Sequence, residues 1–252
     1  MLVGPFVLTE LIGSGAMGEV WSAHHATDGV PVAVKVITSA RAKSEAARRA
    51  FAREVQAMAR LHHPNVLMLL DAGEVSVDAA IASEDRLTPQ SPYLVMERAH
   101  ATLDQRAERI ADFEVLRGLL LSLLDALAHA HARGVVHRDI KPLNVLVVDE
   151  PEGRSRFKLA DFGVAHAFRD PHADKGQRRA GASGTPRYMA PEQVVGAIRD
   201  QGPWTDLYSL GCVAYWLAAG QTPFSGNLAQ VFRSHLEAEV PALSPRFALA
   251  DG

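Results

Sequence analysis

Short apolar runs separated by turn residues fill the first third of the chain, a pattern typical of β-strands. The candidate strands cover residues 6–8, 19–23, 32–37, 66–70 and 93–96. One helix interrupts them, from an N-cap at Ser44 to about Arg60, because apolar residues recur there at helical spacing. The stretch from Glu74 to Pro92 shows neither period, and we expect a long exposed connection there.

Beyond Glu97 the apolar residues recur mainly at helical spacing. Helices are predicted over residues 113–132, 191–195, 205–219 and 227–239, with short strands at 145–148 and 157–159. Gly134 follows the first of these helices at the position where a C-terminal cap belongs. The pattern therefore predicts an α+β protein with a small β-rich lobe (1–97) and a larger, mainly helical lobe (98–252). A ligand cleft is expected at their boundary.

Composition excludes several classes of protein. Of the 252 residues, 48% are hydrophobic and 22% charged, which is ordinary for a globular protein and not for a disordered one. A net charge of −3 gives no strong positive field, so we expect no nucleic-acid partner. The lone Cys212 excludes an internal disulfide and a cysteine-rich zinc site, which fits a reducing, cytoplasmic location. No apolar run reaches the ~18 residues of a membrane span.

A glycine-rich turn lies between the first two strands, where residues 13–20 follow the pattern G-x-G-x-x-G-x-V. Glycines in such a turn either serve the backbone geometry or let backbone N–H groups approach phosphate oxygens closely. A dinucleotide-binding fingerprint would join a strand to a helix. Since this turn joins two strands, that reading is disfavoured.

Three further motifs follow in order. Lys35 ends the run Val-Ala-Val-Lys on the next strand, where a lysine is usually a solvated edge residue. Residues 137–144, His-Arg-Asp-Ile-Lys-Pro-Leu-Asn, place five functional side chains in one short loop. Residues 161–163 read Asp-Phe-Gly, and Ala-Pro-Glu begins 27 residues later at Ala190.

In this order and spacing the motifs resemble the protein kinase family, specifically the eukaryotic-like serine/threonine kinases in the style of their bacterial members. The resemblance covers about residues 6–240. It implies the two-lobed kinase fold and transfer of the γ-phosphate of ATP, with Mg²⁺, to Ser and Thr of protein substrates, with autophosphorylation as one case. Lys141, two residues after Asp139, and the segment 184–192 resemble the serine/threonine type.

The resemblance implies a role for each catalytic residue. Lys35 would neutralise the α and β phosphates, and Glu54 would pair with Lys35 and hold it in place. Asp139 would accept the proton of the substrate hydroxyl, and Lys141 would stabilise charge on the transferring group. Thr185 would shape the substrate site.

The resemblance also implies the cofactor site. Asn144 and Asp161 would hold Mg²⁺. The residues around ATP would be Ile12, Gly13, Gly15, Gly18, Val20, Ala33, Lys35, Met96, Glu97, Ala99 and Leu146. For the apolar members, plain core packing is the competing interpretation.

Other side chains would support the site. The resemblance places His137 under Phe162, in a stack completed by Met58 and Leu69, and makes Asp206 the aspartate that binds the catalytic-loop backbone. Ser183 is the one regulatory phosphosite we expect, because residues 164–182 contain no Ser, Thr or Tyr.

Two departures keep an alternative open. The family often has a glycine pair shortly after the position of Glu97; here the only nearby acid for a ribose contact is Asp104. The resemblance also implies helices beyond Val240 that carry an arginine partner for a buried Glu192, and Arg246 lies too early for that role. We therefore expect a C-terminally truncated, marginally stable domain. The alternative to an active kinase is a catalytically weak fragment or a pseudokinase-like module that binds nucleotide or protein; the oligomeric state stays open.

Overall fold

The computed structural model describes residues 1–15, 18–38, 44–84, 86–149, 155–162 and 186–248. The expectations for Gly163, Ser183 and Thr185 lie outside the described residues. The described chain forms two compact units. The first comprises residues 1–62 and 67–99, and the second comprises residues 63–66, 100–162 and 186–248.

The first unit is built on a six-stranded antiparallel sheet with the strand order β1-β2-β3-β4-β6-β5. The strands are β1 (Leu2–Val3), β2 (Phe6–Gly15), β3 (Gly18–His25), β4 (Pro31–Ile37), β5 (Leu69–Glu74) and β6 (Pro92–Glu97). Every residue of β4 after Pro31 is buried, so both faces of the sheet are covered at its centre.

Helix α1 (Glu45–Met58) covers one face of this sheet. It begins as predicted at Ser44, whose Oγ accepts a hydrogen bond from the backbone N–H of Ala47 at 3.2 Å. Phe51 is the buried anchor of the helix and packs with Ile37 and Leu94.

The stretch between β5 and β6 is not a plain exposed connection, so that expectation was wrong. It contains helix α2 (Val77–Ala82), capped by Ser76, whose Oγ accepts from the N–H of Ala79 at 3.1 Å. Ala80 and Leu87 are almost fully buried in the core on the second face of the sheet. A helix of six residues is too short for its periodicity to be visible in the sequence, and alanines give a weak apolar signal.

The second unit contains a three-stranded antiparallel sheet in the order β7-β8-β9, together with the remaining helices. Its strands are β7 (Ala101–Thr102), β8 (Val145–Asp149) and β9 (Ser155–Leu159), and its helices are α3 (Phe113–His131), α4 (Pro191–Val194), α5 (Pro203–Ala219) and α6 (Leu228–Glu237). Helix α5 starts two residues before the prediction because Pro203 suits a first helical turn, and it ends at Gly220, which has φ 77°. Within the described ranges, none of these helices combines the length and apolarity that crossing a bilayer requires.

Candidate active site

The sheet register brings several predicted nucleotide-binding residues onto one face of the first unit. Val20 of β3 lies directly opposite Lys35 of β4, and Ala33 lies opposite Met96 of β6. Directly opposed residues point to the same face, and so do residues two apart on one strand. Gly13 pairs with Val20 at the end of this row. Residues from four strands that the sequence left scattered therefore form one surface.

Lys35 is only 6% exposed, which is unusual for a lysine without an electrostatic purpose. Helix α1 packs on the Lys35 face, through Phe51 against Ile37 on the same strand as Lys35. This helix carries Glu54, so both members of the predicted ion pair belong to elements on one side of the sheet. The pairing itself stays a prediction.

The three glycines of the turn differ in what the folded chain demands of them. A Cβ atom on Gly18 would lie 2.0 Å from the carbonyl oxygen of Val36, so the close approach of β3 to β4 requires glycine there. A Cβ on Gly15 would meet nothing within 4 Å, and one on Gly13 would only touch Val20 at 3.8 Å. Neither has a positive φ. The fold thus explains Gly18 alone, and close approach by a phosphate group would explain the other two.

The last residues of the first unit include the predicted adenine contacts. The backbone N–H of Glu97 donates to the carbonyl of Met68 at 3.1 Å, and its Oε1 accepts from the N–H of Met68 at 2.7 Å. The backbone N–H of Glu97 is thus already engaged in a hydrogen bond. Its predicted contact with adenine would therefore be made by its carbonyl oxygen. Ala99 is half-buried. Ile12, on β2, is 49% exposed.

In the second unit, Asp139 is held by two neighbours in the catalytic loop. Its Oδ2 accepts from Lys141 Nζ at 2.7 Å and from Asn144 Nδ2 at 3.0 Å, and Nδ2 also donates to the Asp139 carbonyl at 2.7 Å. Two side chains predicted from separate positions of the motif, Lys141 and Asn144, therefore converge on the carboxylate of the third, Asp139. Leu146, the predicted adenine contact of this unit, lies half-buried on β8 opposite Thr102 and Lys158.

The predicted metal ligands offer the oxygen atoms that Mg²⁺ prefers. Since Nδ2 of Asn144 is committed to Asp139, its Oδ1 is the atom suited to a metal. Asp161 supplies a carboxylate from a backbone with φ 63°, a left-handed conformation that is uncommon for a non-glycine residue. Within the described part of the chain, no three His, Cys, Asp or Glu side chains cluster as a metal cage. Mg²⁺ needs none, because it binds one or two carboxylates together with phosphates and water.

The backbone of the catalytic loop is anchored by a buried carboxylate. Asp206 of α5 is fully buried and accepts from the N–H of His137 at 2.8 Å and from the N–H of Arg138 at 2.6 Å. This confirms the role predicted for it. Its Oδ2 also contacts Nε2 of His131 at 2.8 Å, a third bond that no sequence motif indicated. The bonds hold Arg138 in its left-handed conformation, with φ 63°, directly before Asp139.

His137 is packed and is not positioned for acid–base chemistry. Its side chain is fully buried, its Nε2 lies 2.8 Å from the carbonyl oxygen of Ala160, and its ring centroid is 4.5 Å from that of Phe162. The predicted packing of His137 against Phe162 is confirmed. Because it bonds to Ala160, the residue before Asp161, the imidazole also fixes the position of the backbone that leads into Asp161.

A glutamine that the sequence analysis overlooked holds the same loop from another side. Gln193 of α4 donates from Nε2 to the carbonyl of Arg138 at 2.7 Å and accepts at Oε1 from the N–H of Ala190 at 3.0 Å. The available signal was its position directly after the Ala-Pro-Glu motif. Together with Asp206, it satisfies both backbone groups of Arg138.

Glu192 is not left without a partner, contrary to expectation. It is only half-buried, and its Oε1 accepts a hydrogen bond from the hydroxyl of Thr205 at the start of α5. Arg246 instead donates from Nη2 to the carbonyl of Leu217 at 2.8 Å. A hydroxyl donor suffices for a half-buried carboxylate because water solvates the remainder.

Comparison with known proteins decides the family. The family model for the protein kinase domain matches residues 6–244. This chain belongs to the protein kinase family. It is 36% identical over 248 residues to the serine/threonine-protein kinase PknA of Mycobacterium tuberculosis, covering 97% of this chain and 54% of that protein. It is 34% identical over 235 residues to the probable serine/threonine-protein kinase PknB of Bifidobacterium longum, covering 90% of this chain and 32% of that protein.

Solved structures agree with this family fold. The kinase domain of Mycobacterium tuberculosis PknI, crystallised as a double mutant, superposes with a TM-score of 0.67 at 27% identity, covering 96% of this chain and 81% of that one. The two-lobed kinase fold expected from the motifs is confirmed. The chain spans about a third to a half of the length of the curated relatives described above.

Proposed function

We propose that this chain is a protein kinase that transfers the γ-phosphate of ATP to Ser and Thr hydroxyls of protein substrates. One observation carries the proposal: the Asp139 carboxylate is fixed by Lys141 Nζ and Asn144 Nδ2 at 2.7 and 3.0 Å, in a loop anchored through its backbone. The relatives named as serine/threonine-protein kinases support it.

The chemistry follows from positioning. Asp139 would accept a hydrogen bond from the substrate hydroxyl and aim its oxygen at the γ phosphorus. As the new O–P bond forms, the bond from the γ phosphorus to the leaving oxygen of ADP breaks, and the hydroxyl proton passes to the Asp139 carboxylate. Lys141 would stabilise the negative charge of the transferring group.

The remaining residues would bind and orient ATP. Magnesium, held by Asn144 and Asp161, would neutralise charge on the phosphates when bound. Gly13 and Gly15 would let backbone N–H groups approach those phosphates, and Lys35 would contact them from the neighbouring strand. For Thr185, the proposal rests on the resemblance alone.

A module that only binds nucleotide or protein is the less favoured alternative. Binding alone does not require a carboxylate held beside a lysine ammonium in the catalytic loop, yet Asp139 and Lys141 are arranged in this way. ATP as the donor and the lone buried cysteine fit a cytoplasmic location, which stays a prediction.

The test is γ-phosphate transfer from labelled ATP to a generic basic protein, by the wild-type chain and by Asp139→Asn. We expect wild-type transfer and a loss of roughly 10²–10⁴-fold in turnover for the variant, with ATP affinity preserved because Asp139 acts on the nucleophile. Asp125→Asn is the matched control, since it makes the same substitution at an exposed acid outside the catalytic loop, whose carboxylate lies 3.1 Å from His63. An inactive wild-type chain, or an Asp139→Asn variant with normal turnover, would contradict the proposal.

A further inference from the structure

Helix α6 buries one face, and one residue of that face is polar. Its buried side chains are Val231, Phe232 and His235. Phe232 packs with Met189 and Val194, so this face lies against the segment that leads into α4. His235 is only 5% exposed, and residues buried to this degree are more often apolar. Its polarity therefore calls for an explanation.

One nitrogen of the His235 ring forms a hydrogen bond with Tyr208 of α5. Its Nδ1 lies 2.8 Å from the phenolic oxygen of Tyr208, and the two ring centroids are 5.7 Å apart. The ring of Phe224 packs edge-on against the imidazole, with centroids 5.0 Å apart. Burial raises the pKa of Tyr208 well above its usual range, so the phenol keeps its proton and can donate it to Nδ1. That bond fixes the neutral tautomer in which the remaining proton is on Nε2.

His235 lies on the buried face of α6, and α6 packs against the turn at residues 186–188 and against α4. Nε2 is buried and has no hydrogen bond of regular geometry to the described residues. Burial lowers the pKa of His235, and a backbone contact with Pro186 opposes that shift. Proline has no N–H, so the group that acts on the ring is the Pro186 carbonyl. Because Nδ1 is already engaged by Tyr208, Nε2 is the nitrogen left to donate to this carbonyl.

We propose that His235 is a positioning residue that holds the segment 186–189 in place for the peptide substrate. This inference rests on the proposed kinase function, because Pro186 directly follows Thr185, the residue expected to shape the substrate site. In this proposal Nε2 donates to the Pro186 carbonyl in the peptide-bound kinase, because hydrogen bonds near catalytic sites often tighten only when the substrate is bound. Tyr208 acts through His235 by fixing its tautomer and its orientation.

The test separates peptide binding from ATP binding and from folding. The variants are His235→Phe, which keeps the ring volume and removes both nitrogens, and His235→Gln, whose amide can reach the position of Nε2. A synthetic peptide with one threonine, chosen for turnover by the wild-type chain, serves as the probe. We expect His235→Phe to raise the peptide KM roughly 3- to 10-fold, the size of one hydrogen bond, with the KM for ATP unchanged. His235→Gln should recover part of that loss.

Two controls complete the design. Leu236→Gln changes the exposed neighbour on the same helix and should leave both KM values at the wild-type level. Tyr208→Phe should also raise the peptide KM, and the double variant with His235→Phe should be no worse than His235→Phe alone. An unchanged peptide KM in His235→Phe, or equal rises in both KM values with a lower melting temperature, would overturn the inference while leaving the kinase function intact. A wild-type chain that phosphorylates no peptide or protein would overturn both.

Discussion

The bonds around Asp206 allow a sharp prediction about how this kinase domain holds its catalytic loop. Asp206 is fully buried and accepts hydrogen bonds from two backbone amides and from His131. Replacement by asparagine keeps the side-chain volume and one acceptor oxygen. It also removes the charge and places an NH₂ group against at least one N–H donor, so that a bond is lost and the donor is left unpaired.

The expected size follows from these contacts. A hydrogen bond to a charged group contributes about 1.5–3 kcal/mol, and an unpaired buried donor costs about 1–3 kcal/mol more. The asparagine also avoids the desolvation of a buried carboxylate, which offsets part of the loss. We expect Asp206→Asn to lower the free energy of unfolding by about 2–4 kcal/mol, out of a typical total of about 5–15 kcal/mol. For a chain of this size that corresponds to a fall in Tm of roughly 4–16 °C.

The assay is urea unfolding at neutral pH beside a turnover measurement. Asp125→Asn is the matched control: Oδ2 of Asp125 lies 3.1 Å from Nε2 of His63, much like the bond between Asp206 and His131, but Asp125 is 75% exposed. An exposed pair of this kind contributes at most ~1 kcal/mol. Turnover should fall only in Asp206→Asn, since Arg138 and Asp139 lose their backbone anchor. If the two variants unfold at the same urea concentration and turn over equally, our account of the loop is wrong.

Three further outcomes are expected. Gly18→Ala should destabilise the chain by about 1–3 kcal/mol because its Cβ would meet the carbonyl oxygen of Val36. Gly15→Ala should leave the urea midpoint unchanged and raise only the KM for ATP. Equal stability of the two variants would contradict this. Burial raises the pKa of Cys212 to about 12, so its thiol should react with a disulfide reagent at about pH 8 only after unfolding, and fast labelling of the folded chain would refute it. Burial lowers the pKa of His235 below 6.5, so as the pH falls the unfolded chain binds a proton before the folded chain does. The free energy of unfolding should therefore decrease as the pH is lowered through about 6.5, and it should decrease less steeply in His235→Phe.

The sequence predicted the fold through its motifs more than through its periodicity. The long helices were found within a few residues, but β2 extends to Gly15 instead of residue 8, β5 lies three to four residues later than predicted, and β1 and β7 were not predicted. Helix α2 was missed because its six residues rest on buried alanines and a serine cap. Asp206 was found through the family resemblance, although it lies 67 positions after Asp139. Gln193 and His131 were missed for a physical reason: each acts through a single hydrogen bond to a group far away in the chain, and such a bond leaves no local pattern.

Burial in the second unit separates the residues proposed for chemistry from those that position them. Asp139 and Lys141 keep part of their side chains accessible, which phosphoryl transfer requires, and their loop is held by the fully buried Asp206 and His137. Asp139→Asn keeps an acceptor oxygen and leaves the backbone bonds of the loop to Asp206 in place, so its main effect should be on turnover. A buried anchoring residue contributes both to the free energy of unfolding and to turnover, because the same bonds that stabilise the fold also position the loop backbone. Substitution at Asp206 should therefore lower Tm and turnover together, and that joint loss would distinguish a positioning residue from a catalytic one in this kinase domain.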